Sequence, residues 1–365
     1  MKRKIFSAAA LLSFVVTAMC VLSSCEKKKQ FNYNYTPAII PGQEDKNDPD
    51  RIRILFIGNS FTVDAVYYLP LVLKECGFKN WSIANIYYPG RTLPEYVSNF
   101  DTPEYTLYTA ETGWSTWTTS SSKVSISQIA GGDRWDIITL QEHTGNSLGW
   151  SWSEKEENTI RTLMEKLDAT QKNKPKYYWM LTQAYYYMSK IGTGSRQYMT
   201  WPLANTKEAQ LQMYDVIVKQ GKKVMEKFPS LSGIVSTGTM LQNLRTCAFN
   251  NNGWDQTRDG YHMEMGTARF GAACTVAEAI IAPIRKLNLD ACKARIPGYS
   301  IAEGSVCTPV TDATAPVVIK AAKYAVEKPF EITDMSNVVI EGYNDAGGQS
   351  KAELEGKVSG TGDSL

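Results

Sequence analysis

Histidine is scarce in this sequence: a chain of 365 residues carries two, His143 and His262. That argues against a His-rich metal centre, because zinc sites draw several His or Cys ligands together at close spacing. It also makes the search for a catalytic base short. No Lys/Arg-rich tract lies within the body of the chain, and 39 basic residues face 37 acidic ones for a formal net charge of +2. Such a balance speaks against nucleic acid as a partner. No C-x-x-C pair occurs among the seven cysteines, and no segment repeats.

What is present reads as an ordinary globular protein. Hydrophobic residues make up 43%, aromatics 11% and charged residues 21%, which excludes a disordered chain, a collagen-like repeat and a coiled coil. The length suits one large α/β domain or two smaller ones, either able to bury a sizeable core. Aromatics are unusual in kind, with 9 Trp and 20 Tyr.

The N-terminus has the layout of an export signal. Lys2, Arg3 and Lys4 precede an apolar run from Ile5 to Leu22, the charged and apolar regions of a secretory signal peptide. Leu22-Ser23-Ser24-Cys25 resembles the bacterial lipobox, in which the cysteine becomes the lipidated first residue. The resemblance implies a signal over residues 1–24, a lipid on Cys25, and anchoring to a membrane of the bacterial cell envelope, facing the periplasm or the outside. Cleavage there removes three positive charges and no acids, which takes the net charge from +2 to −1. Residues 25–50, with Pro37, Pro41, Gly42 and Pro49, read as a flexible tether. Five cysteines then remain. Cys76, Cys247 and Cys274 lie in apolar stretches and read as buried thiols, while Cys292 and Cys307 are candidates for a bridge across a loop.

Apolar runs and breakers alternate along the body. Arg51 to Gly58 is a compact apolar strand, Val63 to Cys76 a helix, and Trp81 to Tyr88 a second strand closed by Pro89-Gly90. Residues 99–132, rich in Thr, Ser and Trp, read as an insertion or small β-hairpin. Further strands are expected at Trp135 to Leu140, Lys176 to Thr182 and Gly233 to Thr237. Helices are expected at Glu154 to Asn173, Asn205 to Phe228, Met265 to Leu287 and Pro316 to Glu327. This alternation predicts an α/β fold: a three-layer sandwich with a mainly parallel sheet flanked by helices, flavodoxin-like in arrangement. The main domain is expected over 51–297, an extension packing on it over 298–343, and a flexible tail over 344–365.

Two short motifs carry chemistry. Gly58-Asn59-Ser60 lies where a strand turns into a helix, and ligands gather at the carboxyl ends of strands in open α/β sheets. A serine there can present its hydroxyl as a nucleophile, provided a base removes its proton; the plainer role is that Ser60 and Thr62 cap the helix. Far along the chain stands Asp259-Gly260-Tyr261-His262. An acid and an imidazole three residues apart can meet, the carboxylate fixing the ring's tautomer and stabilising its charged form. The plainer role is a structural histidine beside a turn aspartate. The order Ser60…Asp259-x-x-His262 is more pointed than any of its parts.

That set resembles the GDSL/SGNH hydrolase family. Gly58-Asn59-Ser60-Phe61 is similar to its first block, with Asn59 in place of the usual Asp, and Asp259 with His262 is similar to its last. Gly90 is similar to the glycine of the second block. The resemblance spans roughly residues 51–290 and points to a branch of envelope lipoproteins. It implies Ser60, His262 and Asp259 as nucleophile, base and orienting acid, with no cofactor or metal. An oxyanion hole is implied from the N–H groups of Ser60 and Gly90 and a side-chain amide. The third block, G-x-N-D, is altered: Leu140-Gln141-Glu142-His143-Thr144-Gly145-Asn146 stands in its place. Gln141, at the strand end, is the preferred amide, with Asn146 as the other candidate. His143 lacks an acid three residues before it, and is expected to line the pocket or to hydrogen-bond a loop.

Aromatics on loops after strands, among them Trp150, Trp152, Tyr185 and Trp254, suit a sugar face as well as they suit packing. With Trp114 and Trp117 they point to an acylated glycan as substrate and to a serine esterase acting on carbohydrate O-acetyl groups. The rival readings are a glycan-binding lipoprotein with a relict site, and a lipid esterase or thioesterase.

Overall fold

A computed structural model describes residues 48–145, 154–187, 206–250, 255–301 and 305–340. The export signal, Cys25, most of the tether and the tail lie outside these residues.

Two apolar segments dictate the centre. Strand β1 (Ile52–Gly58) and strand β2 (Trp81–Tyr87) bury all seven of their residues, as strands covered on both faces do. They run parallel, with Ile54 beside Ile83 and Gly58 beside Tyr87. Strand β3 (Thr106–Glu111) returns antiparallel to β2, and the two-residue β4 (Thr118–Thr119) pairs with it as an edge. On the other side of β1 lie β5 (Ile137–Gln141), β6 (Lys176–Met180) and β7 (Gly233–Val235), all parallel. The sheet order is β4-β3-β2-β1-β5-β6-β7. Its five parallel strands therefore have the flavodoxin-like order, whose topological switch point falls between β1 and β5. Helices flank the sheet, giving the expected three-layer α/β sandwich.

The helix expected over Val63 to Cys76 is two helices, α1 (Ser60–Val66) and α2 (Leu69–Glu75). Pro70 explains the break: it has no N–H to donate, and its ring collides with the carbonyl of Val66 four residues earlier. Trp117 uses the gap, its indole N–H donating to the carbonyls of Val66 (3.2 Å) and Tyr67 (3.1 Å). The Trp-rich stretch of 99–132 thus forms the sheet's antiparallel edge and a helix, and Trp114 and Trp117 pack on the body. Helix α3 (Leu93–Ser98) follows β2, and α4 (Ile126–Gly132) precedes β5; both pack on α5 (Glu154–Thr170). Helix α6 (Lys207–Lys227) precedes β7.

Helices α7 (Thr237–Arg245), α8 (Thr267–Val276) and α9 (Thr314–Glu327) share one apolar cluster with the sheet face, through Met240, Leu244, Phe270, Val318 and Ala322. Close approach requires small residues: a Cβ on Gly271 would come within 2.6 Å of Met240 Sδ and 3.0 Å of Val318. The Ala-rich helix is shorter than expected. It begins at Thr267 and passes into a π-helical turn at Ala277–Ile281. A small hairpin, β8 (Tyr299–Ile301) with β9 (Ser305–Cys307), precedes α9.

The bridge suggested for Cys292 and Cys307 is not formed: both are thiols, as are Cys76, Cys247 and Cys274. The two face different partners. Cys307 Sγ donates to the Pro297 carbonyl (3.3 Å), whereas Cys292 has the Cys76 thiol as its neighbour. Their pairing pulls the Cys292 thiol down and pushes the Cys76 thiol up.

Because α9 completes the same core as the sheet, Ile319→Ala should destabilise the whole fold. Ile319 is 4% exposed, and its truncation should cost about 2–5 kcal/mol in a single urea transition. A separate early transition for α9 would contradict this packing.

Candidate active site

The turn after β1 is built around close approach. A Cβ on Gly58 would lie 1.8 Å from Thr62 Oγ1 and 2.7 Å from Gln141 Oε1, so only glycine fits. Asn59 caps α1, its Oδ1 accepting from the Phe61 N–H (3.0 Å). Its own N–H donates to Gln141 Oε1 (3.0 Å), and its Nδ2 donates to the Arg91 carbonyl (3.0 Å). One residue therefore ties together the loops that follow β1, β2 and β5. The capping role considered for Ser60 and Thr62 belongs to Asn59. Thr62 Oγ1 instead donates to Gln141 Oε1 (2.9 Å), and Ser60, the first helical residue, is left half-buried with its hydroxyl turned to the second motif.

That motif sits on the segment between α7 and α8. A bridge between Thr257 and Met263 and the Arg258 N–H bond to the His262 carbonyl (3.0 Å) close a tight turn over 257–263. Asp259 Oδ1 accepts the N–H groups of Tyr261 (3.1 Å) and His262 (2.8 Å), which brings the ring back over the carboxylate. His262 Nδ1 then lies 2.6 Å from Asp259 Oδ2, and its Nε2 lies 2.8 Å from Ser60 Oγ. The imidazole is 5% exposed. Burial alone would raise the Asp259 carboxyl. The His262 hydrogen bond, together with the charges of His262 and Arg258, outweighs burial and holds the group below the usual carboxylate range. It is ionised at neutral pH, as an orienting acid must be.

A second layer holds the two halves together, and sequence reasoning missed it. Asp64, one turn beyond Ser60 on α1, has no exposure to solvent. Its Oδ1 takes Arg258 Nη1 (2.9 Å) and the Nε and Nη2 of Arg269 (2.9 and 2.6 Å), and its Oδ2 accepts the Met263 N–H (2.9 Å). Burial pushes this carboxyl up. The charges of Arg258, Arg269 and His262 push it further down, so the net shift is downward. Glu264, equally buried, accepts from the N–H groups of Gly266, Ala268 and Thr308 and from Thr267 Oγ1, capping α8 and fastening residue 308 to it. The signal that could have revealed this layer is an acid or a guanidinium alone within an apolar helix, as Asp64 and Arg269 are.

The other expected site residues divide into three groups. Gly90 occupies the turn after β2 at φ 62°, a left-handed conformation suited to glycine, beside the Arg91 carbonyl that Asn59 holds. Gln141 is buried under the Ser60 turn, its Oε1 engaged by Asn59 and Thr62 and its Nε2 donating to the Glu142 carbonyl (2.6 Å). His143 stands at the switch point, its ring 6.0 Å from that of Phe61, and its Nδ1 accepts the Gly145 N–H (3.0 Å). That bond places the proton of the neutral ring on Nε2. Tyr185 is fully buried, packed with Phe61, Met213 and Tyr214. It belongs to the packing beneath the site. Asn146, Trp150, Trp152 and Trp254 lie outside the described residues. Among the described residues no group of three or more His, Cys, Asp or Glu could hold a metal ion.

Comparison with known proteins places this chain in a family. The family model for DUF4886, a domain of unknown function, matches residues 53–300. The crystal structure of a DUF4886 family protein from Bacteroides uniformis ATCC 8492 has a similar fold. Its TM-score is 0.61 at 24% identity, over 79% of this chain and 99% of that one. A GDSL-like lipase from Bacteroides thetaiotaomicron VPI-5482 matches with a TM-score of 0.33 and 13% identity, over 63% of this chain and 86% of that one. No curated protein matches the chain.

The depressed Asp259 carboxyl has a consequence for stability. A carboxylate held below its unfolded value stabilises the fold above that value, about 3.9, and loses its contribution as pH falls through the folded one. Wild type should therefore exceed Asp259→Asn in urea midpoint at pH 7, with the difference shrinking towards pH 3. A difference that stays constant with pH would count against this assignment.

Proposed function

This chain belongs to the DUF4886 family, and we propose that it is a serine ester hydrolase. The observation that carries the reading is the unbroken chain Ser60 Oγ to His262 Nε2 at 2.8 Å and His262 Nδ1 to Asp259 Oδ2 at 2.6 Å. It sits at the carboxyl end of β1, beside the switch point of the sheet. A serine hydroxyl is a weak nucleophile until a positioned base takes its proton, and His262 is within reach of that proton.

In this reading Ser60 Oγ attacks the ester carbonyl carbon while His262 Nε2 accepts its proton. Asp259 stabilises the imidazolium that forms. The oxyanion of the tetrahedral intermediate is held by the N–H groups of Ser60 and Gly90, with the remaining amide hydrogen of Gln141 as a third donor. His262 returns its proton to the leaving alcohol, and the Ser60 ester is hydrolysed by water through the same steps. Asn59 and Gln141 fix the turn on which this depends, and neither a metal nor an organic cofactor enters the sequence of steps.

The substrate proposed is a short-chain, O-acetyl ester of a carbohydrate. Tyr261, half-buried with its ring 4.0 Å from that of His262, offers an aromatic face beside the reacting atoms. Trp150, Trp152 and Trp254 support the same reading from sequence. The lipobox-like Cys25 supports a lipid-anchored protein of the cell envelope, with its catalytic domain carried on a tether.

Hydrolysis of p-nitrophenyl acetate and p-nitrophenyl octanoate by wild type, Ser60→Ala and His262→Ala tests the proposal. Turnover of acetate should be lost in both variants, while Ser60→Ala changes stability by no more than about 0.5 kcal/mol. Activity retained in Ser60→Ala would remove the assignment; a preference for octanoate would move the substrate class from acetylated glycans to lipids.

A further inference from the structure

Nothing in the proposed chemistry requires a buried charge on the nucleophile's own helix, yet Asp64 is one. An ionised carboxylate without water is costly unless opposite charges and hydrogen bonds surround it. Here every partner comes from the segment that carries the acid and base or from the helix just after it. Arg258 immediately precedes Asp259, Met263 immediately follows His262, and Arg269 lies on the first turn of α8. Arg258 Nη1 also donates to the Met263 carbonyl, closing the loop on itself. The acid–base turn is therefore gripped at both ends by one carboxylate, and that carboxylate stands four residues from Ser60 on the same helix.

We propose that Asp64 is a positioning residue, which sets the approach of His262 to Ser60 by clamping the 258–263 turn to α1. Apart from this carboxylate, the turn meets α1 through the hydrogen bond between Ser60 Oγ and His262 Nε2 and through Phe61, whose ring packs on those of Tyr261 and His262. With the carboxylate, α1 and the turn move as one body. Two bonds from the turn to a charged acceptor, from Arg258 Nη1 and the Met263 N–H, each of the stronger, charge-assisted kind, oppose displacement of the imidazole along α1, and Arg269 holds the same carboxylate from α8. Such displacements matter because reacting groups misplaced by about 1 Å can lose about 10²-fold in rate. Thermal stability alone would not require this placement, since a well-packed apolar side chain can do as well as a buried ion pair. This role rests on the serine-hydrolase reading for its effect on rate, but the clamp itself is a statement about His262 and can be read without turnover.

The experiment uses the full chain labelled with 15N-histidine, as wild type, Asp64→Asn and Arg258→Lys, with imidazole NMR and ester kinetics on each. With two histidines in the chain, His143 serves as an internal control. The Nδ1 proton of His262, held against Asp259, should give a downfield signal in wild type. Asp64→Asn should lose that signal to exchange with water while His143 keeps its own. On p-nitrophenyl acetate its kcat should fall by about 10²-fold with little change in KM, the pattern of lost alignment and not of lost binding. Arg258→Lys, which keeps the charge but not the planar fork, should weaken the signal and lower kcat less.

A folded Asp64→Asn protein that keeps both the signal and kcat would overturn the proposal. So would a fall in kcat that only tracks the fraction of folded protein. Should Asp64→Asn fail to fold, Arg258→Lys decides: a weakened His262 signal supports the clamp and an unchanged one refutes it. A wild type that shows the signal but neither turns over esters nor depends on Ser60 would end the hydrolase reading, and the NMR comparison would still settle the clamp.

Discussion

A single buried carboxylate joins the parts of this protein that are far apart in sequence. Asp64 lies near the start of the domain, and its partners Arg258, Met263 and Arg269 come some two hundred residues later. An unpaired charge in the interior is expensive enough to disrupt folding, so the chain has to bring these segments together wherever Asp64 is buried. Once it does, the consequences spread outward. Arg269 fixes α8 against α1, and Glu264 caps α8 and fastens the strand leading to α9. The turn between Arg258 and Met263 is left facing Ser60.

The sheet supplies the other half of the arrangement. Its strand order reverses between β1 and β5, and the strand ends on that side carry Ser60, Gly90 and Gln141. Asn59 stitches the three loops with one backbone and one side-chain donor. Gly58 is confined by the Thr62 hydroxyl and the Gln141 amide. Function and fold are not separable here. The same bonds that satisfy buried polar groups at the strand ends also hold the Ser60 turn in place.

Much of this was legible in the sequence, for physical reasons that differ by element. Mainly apolar runs announced β1 and β2, because strands buried on both faces are mostly apolar; Arg53, Ser82 and Asn85 are the buried exceptions. Ser60, Asp259 and His262 stood out because histidine is so rare and because an acid three residues before it is a local geometry that sequence spacing encodes. The break at Tyr67-Tyr68 was missed where periodicity alone gave one helix, because the effect of Pro70 on the preceding turn overrides that periodicity. Less visible was anything that depends on contacts across the fold. The roles of Asp64 and Glu264 exist only because segments distant in the chain meet. Tyr185, read from its place after a strand as part of a binding wall, is buried because α6 covers it. The pairing of thiols was likewise a matter of which side chains face each other: Cys292 meets Cys76, while Cys307 turns to a backbone carbonyl.

The claim on which the rest stands is that Ser60 is an activated nucleophile, and reaction with a fluorophosphonate probe reads that most directly. Treatment of the full chain followed by peptide mass spectrometry should place one adduct per molecule on the peptide containing Ser60. Labelling should be lost in His262→Ala, where the base is missing. No adduct on folded wild-type protein, or an adduct at another residue that survives His262→Ala, would contradict the account.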